Sequence, residues 1–409
     1  MPAIAPNKST SPFWLSVVAG MAVAVIVFGP RSTFGLFVEP IDAARGWGRE
    51  VFALAMALQQ LVWGALQPIG GFFADRFGAI RAITVGALLY SVGMILMTMV
   101  QSPLGLHLSA GVLIGAGLAG AGLPIVVAAV AQKVSAERRS LALGLVTAGS
   151  SLGQFAFAPL SQWYIGQFGW VLALALMAIP VLCLPLIALP LRGAASSSTE
   201  DVAPIPIGKL LRGALSVRSY QLLIAGFFVC GFHVSFITLH LPPYLHDMGV
   251  AASLAAIALS VIGLFNVIGA VVAGVLGQRF SKRYVLSCLY IARAIIITIF
   301  LIAEKNTSSV ILFAAGMGLL WLSTVPLTSG LVAVMFGTRN LGTLFGLVFF
   351  SHQVGAFIGI WLGGYLYASQ GSYFWTWVIA IILSLTAAVI HLPIEEKPAT
   401  LAGSPVPVN

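Results

Sequence analysis

The chain has 409 residues, of which 59% are hydrophobic and only 8% are charged. A soluble domain carries about a quarter charged residues, so this composition excludes an ordinary soluble globular protein. A lipid-facing surface, by contrast, accommodates this much apolar side chain. The net charge of +9 is compatible with a nucleic-acid partner, but the basic residues are placed as in a membrane protein.

Apolar segments long enough to cross a bilayer recur along the whole chain. A spanning helix needs roughly 20 mostly apolar residues. Twelve such helices are predicted, at residues 13–38, 51–74, 80–100, 105–132, 140–164, 169–190, 219–245, 252–276, 284–303, 309–336, 342–368 and 373–392. The first follows a short polar start and continues past Phe28 with no small-residue cleavage site. We therefore expect it to be helix 1 and not a removable signal peptide.

The longest polar break in this series is the segment 192–218, which contains Gly, Ser and Pro residues and lies at the middle of the chain. Its composition predicts a flexible cytoplasmic linker. The linker would join an N-terminal six-helix bundle at 1–191 to a C-terminal six-helix bundle at 219–409. The predicted fold class is therefore an all-α membrane protein of twelve transmembrane helices in two bundles.

An internal repeat relates the two predicted bundles. Arg76 at the end of helix 2 recurs as Arg279 at the end of helix 8, 203 residues later. Pro124 in helix 4 and Pro326 in helix 10 are 202 residues apart, and glycines of helices 5 and 11 and of helices 1 and 7 follow that offset. One offset across four helix pairs indicates pseudo-symmetric halves. In this architecture the substrate binds near the bilayer midplane, between the halves.

The basic residues predict the orientation. With both termini cytoplasmic, 15 Lys and Arg residues lie in inner loops and tails, whereas the outer loops hold 3, namely Arg45, Arg49 and Lys305. This positive-inside bias accounts for the basic composition without any nucleic acid. We expect a multi-pass protein of a bacterial-type inner membrane. The two remaining basic residues, Arg31 and Arg293, fall inside predicted helices.

One motif joins the end of helix 2 to helix 3 through Gly71, Asp75, Arg76, Gly78 and Arg81. Its spacing resembles the helix 2–3 signature of the major facilitator superfamily, and the resemblance covers nearly the whole chain. It implies a conformational role, in which Asp75 contacts the N-terminus of helix 11, where the helix dipole favours a carboxylate, and stabilises an outward-open state. The alternative is that Asp75 and Arg76 anchor a cytoplasmic loop. The second copy keeps Arg279 but has Gln278 in place of the aspartate, so a contact there is weaker.

A narrower resemblance lies in helix 1. The sequence Gly-Pro-Arg-Ser-Thr-Phe-Gly-Leu-Phe, residues 29–37, resembles the helix 1 pattern of the monocarboxylate transporter family. In that pattern a cation follows a proline and precedes an x-Phe-Gly-x-Phe run. The family's cation lines the substrate path, so the resemblance implies the same role for Arg31.

A physical argument for Arg31 agrees with this implication. An arginine in hydrocarbon costs at least about 2.5–3.5 kcal/mol on insertion scales, so it faces a cavity or a partner. No acidic residue lies in the middle of any predicted helix to pair with it. A guanidinium binds a carboxylate through two parallel hydrogen bonds, which suits a small organic acid. The alternative is that Arg31 extends to the outer surface, since it lies outward of the helix centre.

The chain departs from the monocarboxylate transporter family in helix 8. That family has an aspartate and, one turn later, an arginine that serve proton and anion. Here Asn266 and Ala270 occupy those places, so proton symport by the family's pair is not expected. Asn266 either hydrogen-bonds the substrate or joins helices as a buried polar residue.

Three further polar residues are candidates for the site. Arg293, central in helix 9, either replaces the missing cation or bonds to carbonyls inside the second half. His233 aligns with Arg31 in the repeat, which predicts a position across the cavity and a role as proton carrier, with simple packing as the alternative. His352 in helix 11 is a weaker candidate for the cavity wall.

The sequence therefore predicts a secondary transporter of small organic anions, with monocarboxylates first, that works by rocking of two halves. No nucleotide-binding motif is present, so an ion or substrate gradient must drive it, and proton symport and anion exchange both stay open. Efflux of amphipathic compounds and a non-transporting membrane sensor are the alternatives. We expect no enzyme activity, because no acid, thiol or metal cluster lies inside the predicted spans, and we expect no cofactor. The cysteines (Cys183, Cys230 and Cys288) show no paired spacing and lie in apolar stretches, so we expect no metal site.

Overall fold

The computed structural model describes residues 13–134, 136–192, 207–337 and 341–399, and every regular element in these ranges is helical. The main helices, numbered as predicted, are helix 1 Phe13–Arg31, helix 2 Arg49–Phe77, helix 3 Ala79–Met99, helix 4 Pro103–Lys133, helices 5 and 6 Ala136–Leu182, helix 7 Arg218–Asp247, helix 8 Ala252–Arg279, helix 9 Lys282–Ile302, helix 10 Thr307–Phe336, helix 11 Leu341–Gln370 and helix 12 Phe374–His391. Eleven spans in the described ranges are long and apolar enough to cross a membrane.

One of these eleven spans contains two of the predicted helices. Within Ala136–Leu182, Gly169 has a φ of 72° and turns the chain between helix 5 and helix 6. Glycine adopts this left-handed conformation readily because it has no Cβ. Helix 6 then continues through the short helices Leu184–Ile187 and Leu189–Leu191. With this division, the prediction of twelve transmembrane helices is confirmed.

Helices 4 and 10 are both interrupted, at positions that the repeat relates. Helix 4 ends its first part at Ala121 and resumes with Leu123–Lys133, while helix 10 stops at Leu320 and resumes with Thr324–Phe336. In each case a proline, Pro124 or Pro326, lies in the first turn of the resumed helix. A proline has no N–H to continue the hydrogen-bond ladder, and its ring clashes with the preceding turn. Each break therefore leaves backbone carbonyls without helical partners.

The segment predicted to be a flexible linker differs from that prediction in its second part. Residues 193–206 lie outside the described ranges, but Ile207–Leu215 forms a helix. Leu210 and Ala214 are buried together with Tyr220 of helix 7. The leucines and alanine recur at helical spacing, so this part packs its apolar face on the second half.

Helices 7 and 11 pack with their backbones in contact. A methyl group added at Gly231 would lie 1.8 Å from the His352 carbonyl oxygen, and one added at Gly355 would lie 2.0 Å from the Phe228 carbonyl oxygen. Small residues at a helix interface allow this close approach, which strengthens van der Waals packing where no hydrophobic effect operates between helices.

We expect Gly231→Ala to destabilise the protein, because neither backbone can move away without separating helices 7 and 11. Overpacking of this kind costs about 1–3 kcal/mol. Gly274→Ala is the matched control, since a methyl group there would meet nothing within 4 Å. Thermal unfolding in detergent should show a lower midpoint for Gly231→Ala only. Equal midpoints for the two variants would contradict the close packing.

Contacts between the two halves differ between the two sides of the molecule. On the predicted outer side, Gln154 of helix 5 donates to the Leu259 carbonyl (3.1 Å) and Ser260 of helix 8 donates to the Phe155 carbonyl (2.7 Å). Toward the predicted cytoplasmic ends of helices 2, 5, 8 and 11, a methyl group would meet nothing within 4 Å at Gly71, Gly144, Gly274 or Gly346. Contacts therefore join the halves on the predicted outer side, whereas open space lies beside these four glycines toward the other side.

Candidate functional site

Arg31 is the last residue of helix 1, at a point where the helix is forced to end. Pro30 precedes it, and the hydroxyls of Ser32 and Thr33 donate to the carbonyls of Gly29 and Pro30, both at 2.7 Å. These bonds satisfy acceptors that the end of the helix leaves free. The C-terminal end of a helix also favours a cation. The chain then continues through the turn Phe34–Phe37 and the short helix Val38–Arg45.

The Arg31 side chain points between the halves and not to the outer surface. Its Nη2 donates to Gln60 Oε1 (2.7 Å), and its guanidinium carbon lies 4.8 Å from the centre of the Trp63 ring. It contacts no carboxylate of the described residues, and its buried Nε has no hydrogen-bond partner among them. The Arg31 guanidinium is therefore a half-buried cation that can still donate further hydrogen bonds.

A cavity of about 30 Å³ adjoins Arg31. It is lined from helices 1, 2, 7 and 11 and the turn after helix 1, by Arg31, Phe34, Gly35, Met56, Gln59, Gln60, Val234, Ser235, Thr238, Leu239 and Ile360. This volume admits about two water molecules. Both halves contribute to its wall, so any movement of one half against the other changes its size.

His233 lies outside this cavity. It is fully buried, and its Nε2 is 2.8 Å from the Ala380 carbonyl of helix 12. The next two residues along helix 7, Val234 and Ser235, line the cavity instead. The repeat relates the backbone positions of His233 and Arg31. Because each step along a helix rotates the side-chain direction by about 100°, Val234 and Ser235 face the cavity while His233 faces helix 12. Its predicted role as proton carrier stays a prediction.

Asn266 bridges three helices. Its Nδ2 donates to Ser151 Oγ of helix 5 (2.8 Å), and its Oδ1 accepts from the Leu322 backbone N–H at the break in helix 10 (3.0 Å). The side chain is 3% exposed. This geometry corresponds to the alternative of a polar residue that joins helices.

Arg293 also has a structural environment. It is fully buried inside the second half, and its Nη2 donates to the Leu320 and Trp321 carbonyls, both at 2.6 Å. These carbonyls belong to the break in helix 10. It is not part of the cavity wall at Arg31.

His352 is the histidine connected to the cavity. Its Nδ1 is 3.1 Å from Gln353 Oε1, and Gln353 Nε2 donates to Gln60 Oε1 at 3.4 Å. Gln60 in turn accepts from Arg31. The His352 ring stacks on Phe349, with ring centres 5.8 Å apart. The sequence places these residues on helices 2 and 11, but their connection depends on how the two helices face each other.

The motif between helices 2 and 3 lies at the predicted cytoplasmic end of helix 2. Gly78 ends helix 2 with a φ of 91°, and Arg81 Nη1 donates to the Phe77 carbonyl at 3.1 Å. Arg76 and Arg279 are exposed. The side chain of Asp75 lies outside the described residues, so its predicted contact with helix 11 stays a prediction.

An ion-pair cluster on the predicted outer side was not foreseen. Arg49, the first residue of helix 2, makes two 2.6 Å bonds to the carboxylate of Asp247 at the end of helix 7, and its Nε is 2.5 Å from Glu39 Oε1. The Arg49 guanidinium also lies 4.2 Å from the Tyr367 ring centre of helix 11. Glu39, Arg49 and Asp247, here called the outer clamp, join the two halves. The only feature of the sequence that marked this cluster was that Arg49 is one of just three basic residues in the predicted outer loops.

Comparisons with known proteins agree with this architecture. The family model described as Major Facilitator Superfamily matches residues 19–274 and 223–406. Monocarboxylate transporter 13 of Bos taurus is 30% identical over 397 residues, which cover 93% of this chain and 89% of the relative. The uncharacterized MFS-type transporter YcxA of Bacillus subtilis (strain 168) is 25% identical over 400 residues, covering 94% and 96% of the two chains.

A solved structure has the same fold. It is a bacterial homolog to the human lysosomal transporter Spinster, in an inward-facing and occupied conformation. The match has a TM-score of 0.76 at 13% sequence identity and covers 94% of this chain and 97% of the other.

Proposed function

Because the chain belongs to the major facilitator superfamily and is related to monocarboxylate transporters, we propose that it is a secondary active transporter of small organic anions, with monocarboxylates as the first candidates. The observation that carries this proposal is Arg31, a half-buried cation beside the cavity with a free Nε and no described carboxylate partner. A carboxylate bound there would supply the missing counter-charge through a bidentate contact.

The chemistry of the cavity favours a small anion over a bulky amphipathic compound. Arg31, Gln59 and Gln60 supply polar groups on one wall, and Ser235 and Thr238 supply hydroxyls on the other. The proposal is tested by uptake of a panel of small carboxylates, other anions and amphipathic cations into proteoliposomes under imposed pH gradients. Transport of the amphipathic cations alone would overturn it.

We propose alternating access as the mechanism, with the described structure as the state open to the cytoplasm. The outer clamp and the contacts of helix 5 with helix 8 hold the outer side closed. A methyl group at Gly71 of helix 2 or at Gly346 of helix 11 would meet nothing within 4 Å, which supports an opening on the cytoplasmic side. Under this proposal both termini are cytoplasmic, as the positive-inside bias predicts.

We further propose that a proton accompanies the anion and that His352 takes part in carrying it. An imidazole can accept a proton and release it again, which the neighbouring amides of Gln353 and Gln60 cannot do. His352 is joined to Arg31 through Gln353 and Gln60, whereas His233 is bonded to helix 12. Exchange of one anion for another without a proton is the alternative mechanism.

We expect His352→Gln to lower the accumulation of labelled carboxylate at least about tenfold in anion-free vesicles under an inward proton gradient, because the amide cannot titrate. His233→Gln is the comparison, since its position favours packing, and it should accumulate substrate at rates near the wild type once corrected for folded protein. Loss of accumulation in His233→Gln, with normal accumulation in His352→Gln, would show that His233 and not His352 carries the proton. Rapid exchange without accumulation in the wild type would identify an antiporter.

A further inference from the structure

The guanidinium of Arg31 is hydrogen-bonded to a neutral amide and not to an acid. Its Nη2 donates to Gln60 Oε1 at 2.7 Å, which is its one side-chain hydrogen bond to the described residues. An arginine side chain has donors only, so Gln60 must present its amide oxygen and not its amide nitrogen. A carboxylate oxygen that accepts from the same N–H would occupy the place of that amide oxygen. Gln60 Oε1 therefore lies where one oxygen of an anionic substrate would lie.

Gln60 is held in this position from the second half. Gln353 of helix 11 donates through Nε2 to Gln60 Oε1 at 3.4 Å and to the Gln60 backbone carbonyl at 3.3 Å. The Gln353 side chain also packs on helix 2 itself, because a methyl group added at Gly64 would lie 2.8 Å from Gln353 Cβ. The contact between Arg31 and Gln60 is thus supported across the interface between helices 2 and 11.

The bonds on the two sides of the Gln60 amide differ in strength. The bond from Arg31 is short and has a charged donor, which makes it one of the stronger kinds. The bonds from Gln353, at 3.3 and 3.4 Å, are longer than is usual for N–H···O. Movement of helix 11 away from helix 2 would therefore break the Gln353 bonds readily. The position of Gln60 beside Arg31 depends on how the two halves are arranged.

We propose that Gln60 is an internal competitor that displaces a bound carboxylate from Arg31, and that Gln353 is the residue that positions it. The inference rests on the proposed function. When helix 11 is apart from helix 2 at this level, Gln60 has no support from Gln353, and the carboxylate keeps its bonds to Arg31. When the two helices meet, as in the described structure, Gln353 presents the Gln60 oxygen to Arg31, and the anion leaves toward the cytoplasm. One acceptor replaces another, so no proton moves and Arg31 stays charged.

The direction of the change in affinity tests the competitor. Removal of a residue that simply binds the anion weakens binding, whereas removal of a competitor strengthens it. Gln60→Met keeps the side-chain length but offers Arg31 only a weak acceptor. Because hydrogen bonds to charged groups are among the stronger ones, the dissociation constant should fall at least about tenfold, and the turnover number should fall as release slows. Gln353→Met should change both quantities in the same direction by a smaller factor. Weaker binding in Gln60→Met would overturn the proposal.

The probe is the one of formate, acetate, lactate and pyruvate that the wild type binds most tightly in detergent, measured by titration calorimetry on protein with unchanged elution in size-exclusion chromatography. The matched control is Gln101→Met. Gln101 also accepts from an arginine, Arg45, but it is exposed and lies outside the cavity. The control should bind the probe as the wild type does. Equally tightened binding in Gln101→Met would overturn the proposal, because the effect would not depend on the contact with Arg31.

Gln60→Glu tests the contact without any added anion. The new carboxylate gives Arg31 a permanent charged partner, so the thermal unfolding midpoint should rise and binding of the probe should be lost. Addition of Arg31→Gln should remove the rise. Gln101→Glu places the same charge beside Arg45, where an exposed pair contributes little. An unchanged midpoint in Gln60→Glu would overturn the proposal. If the wild type binds none of the four carboxylates, the proposed function fails, while the midpoints still decide whether Gln60 occupies Arg31.

Discussion

Arg31→Gln should abolish carboxylate uptake while leaving the fold intact. Loss of one member of a buried charged pair costs about 2–5 kcal/mol, and glutamine offers a carboxylate neither charge nor a bidentate fork. Uptake into proteoliposomes should therefore fall at least about 30-fold. The variant should also lose the rise in thermal unfolding midpoint that a bound substrate gives the wild type. Arg31→Lys should retain part of the activity, because a point cation replaces the planar donor set.

The control for Arg31 is another arginine of the first half that lies outside the cavity. Arg45 packs over the Trp170 ring at 5.6 Å and bonds to Gln101. Arg45→Gln removes the same charge, so it should transport at close to the wild-type rate. Wild-type uptake by a well-folded Arg31→Gln protein would remove Arg31 from the substrate site, and with it the main support for an anionic substrate.

Arg49→Gln should shift the protein toward states open on the outer side. The substitution leaves the Glu39 and Asp247 carboxylates without the guanidinium that joins them, and only the His246 ring nitrogen, 3.6 and 3.9 Å away, lies near both. Like charges repel. Arg49 is 6% exposed, whereas Glu39 and Asp247 are 30% and 24% exposed. The clamp is therefore intermediate in burial. An exposed ion pair contributes less than about 1 kcal/mol, whereas disruption of a buried pair costs about 3–5 kcal/mol. A cost of about 2 kcal/mol changes the ratio of the two states about 30-fold.

Spin labels placed across the clamp measure this shift. Ala44 and Met248 are exposed in the first and second halves, close to the clamp on either side. Pulsed electron-spin distances between labels there should lengthen in Arg49→Gln and stay unchanged in Arg45→Gln. The motif between helices 2 and 3 predicts the opposite for Asp75→Asn, which should favour the inward-open state. An unchanged distance distribution in Arg49→Gln would show that the clamp does not hold the outer side closed.

The fold was readable from the sequence because the bilayer constrains it strongly. A helix must satisfy its own backbone in lipid, so span length and the repeat offset predicted twelve helices in two related halves, whereas the breaks in helices 4 and 10 were not predicted. The family resemblance in the motif beginning at Gly71 and in residues 29–37 is confirmed by the comparisons. These signals are local, or repeat at a fixed distance along the chain.

The contacts within the candidate site were harder to predict, since they depend on helix rotation. His233 and Arg31 are related by the repeat, yet helix 1 ends at Arg31 while helix 7 continues to Asp247, so the two side chains point in different directions. Arg49 and Asp247 are 198 residues apart. The sequence shows both charged residues, but no feature of the sequence indicates that they form a pair. The bonds of Arg293 to the break in helix 10 likewise appear only when helices 9 and 10 are brought together.

The matched breaks in helices 4 and 10 are stabilised by different kinds of contact. At the break in helix 10, Arg293 of helix 9 donates to the Leu320 and Trp321 carbonyls, both at 2.6 Å. Beside Gly122 in helix 4, a methyl group would lie 3.4 Å from the Trp63 ring nitrogen and 3.5 Å from Gln67 Oε1, on helix 2. Hydrogen bonds from a charged donor are about twice as strong as neutral ones. Two segments related by one repeat are therefore held by unlike interactions, charge-assisted in the second half and neutral in the first.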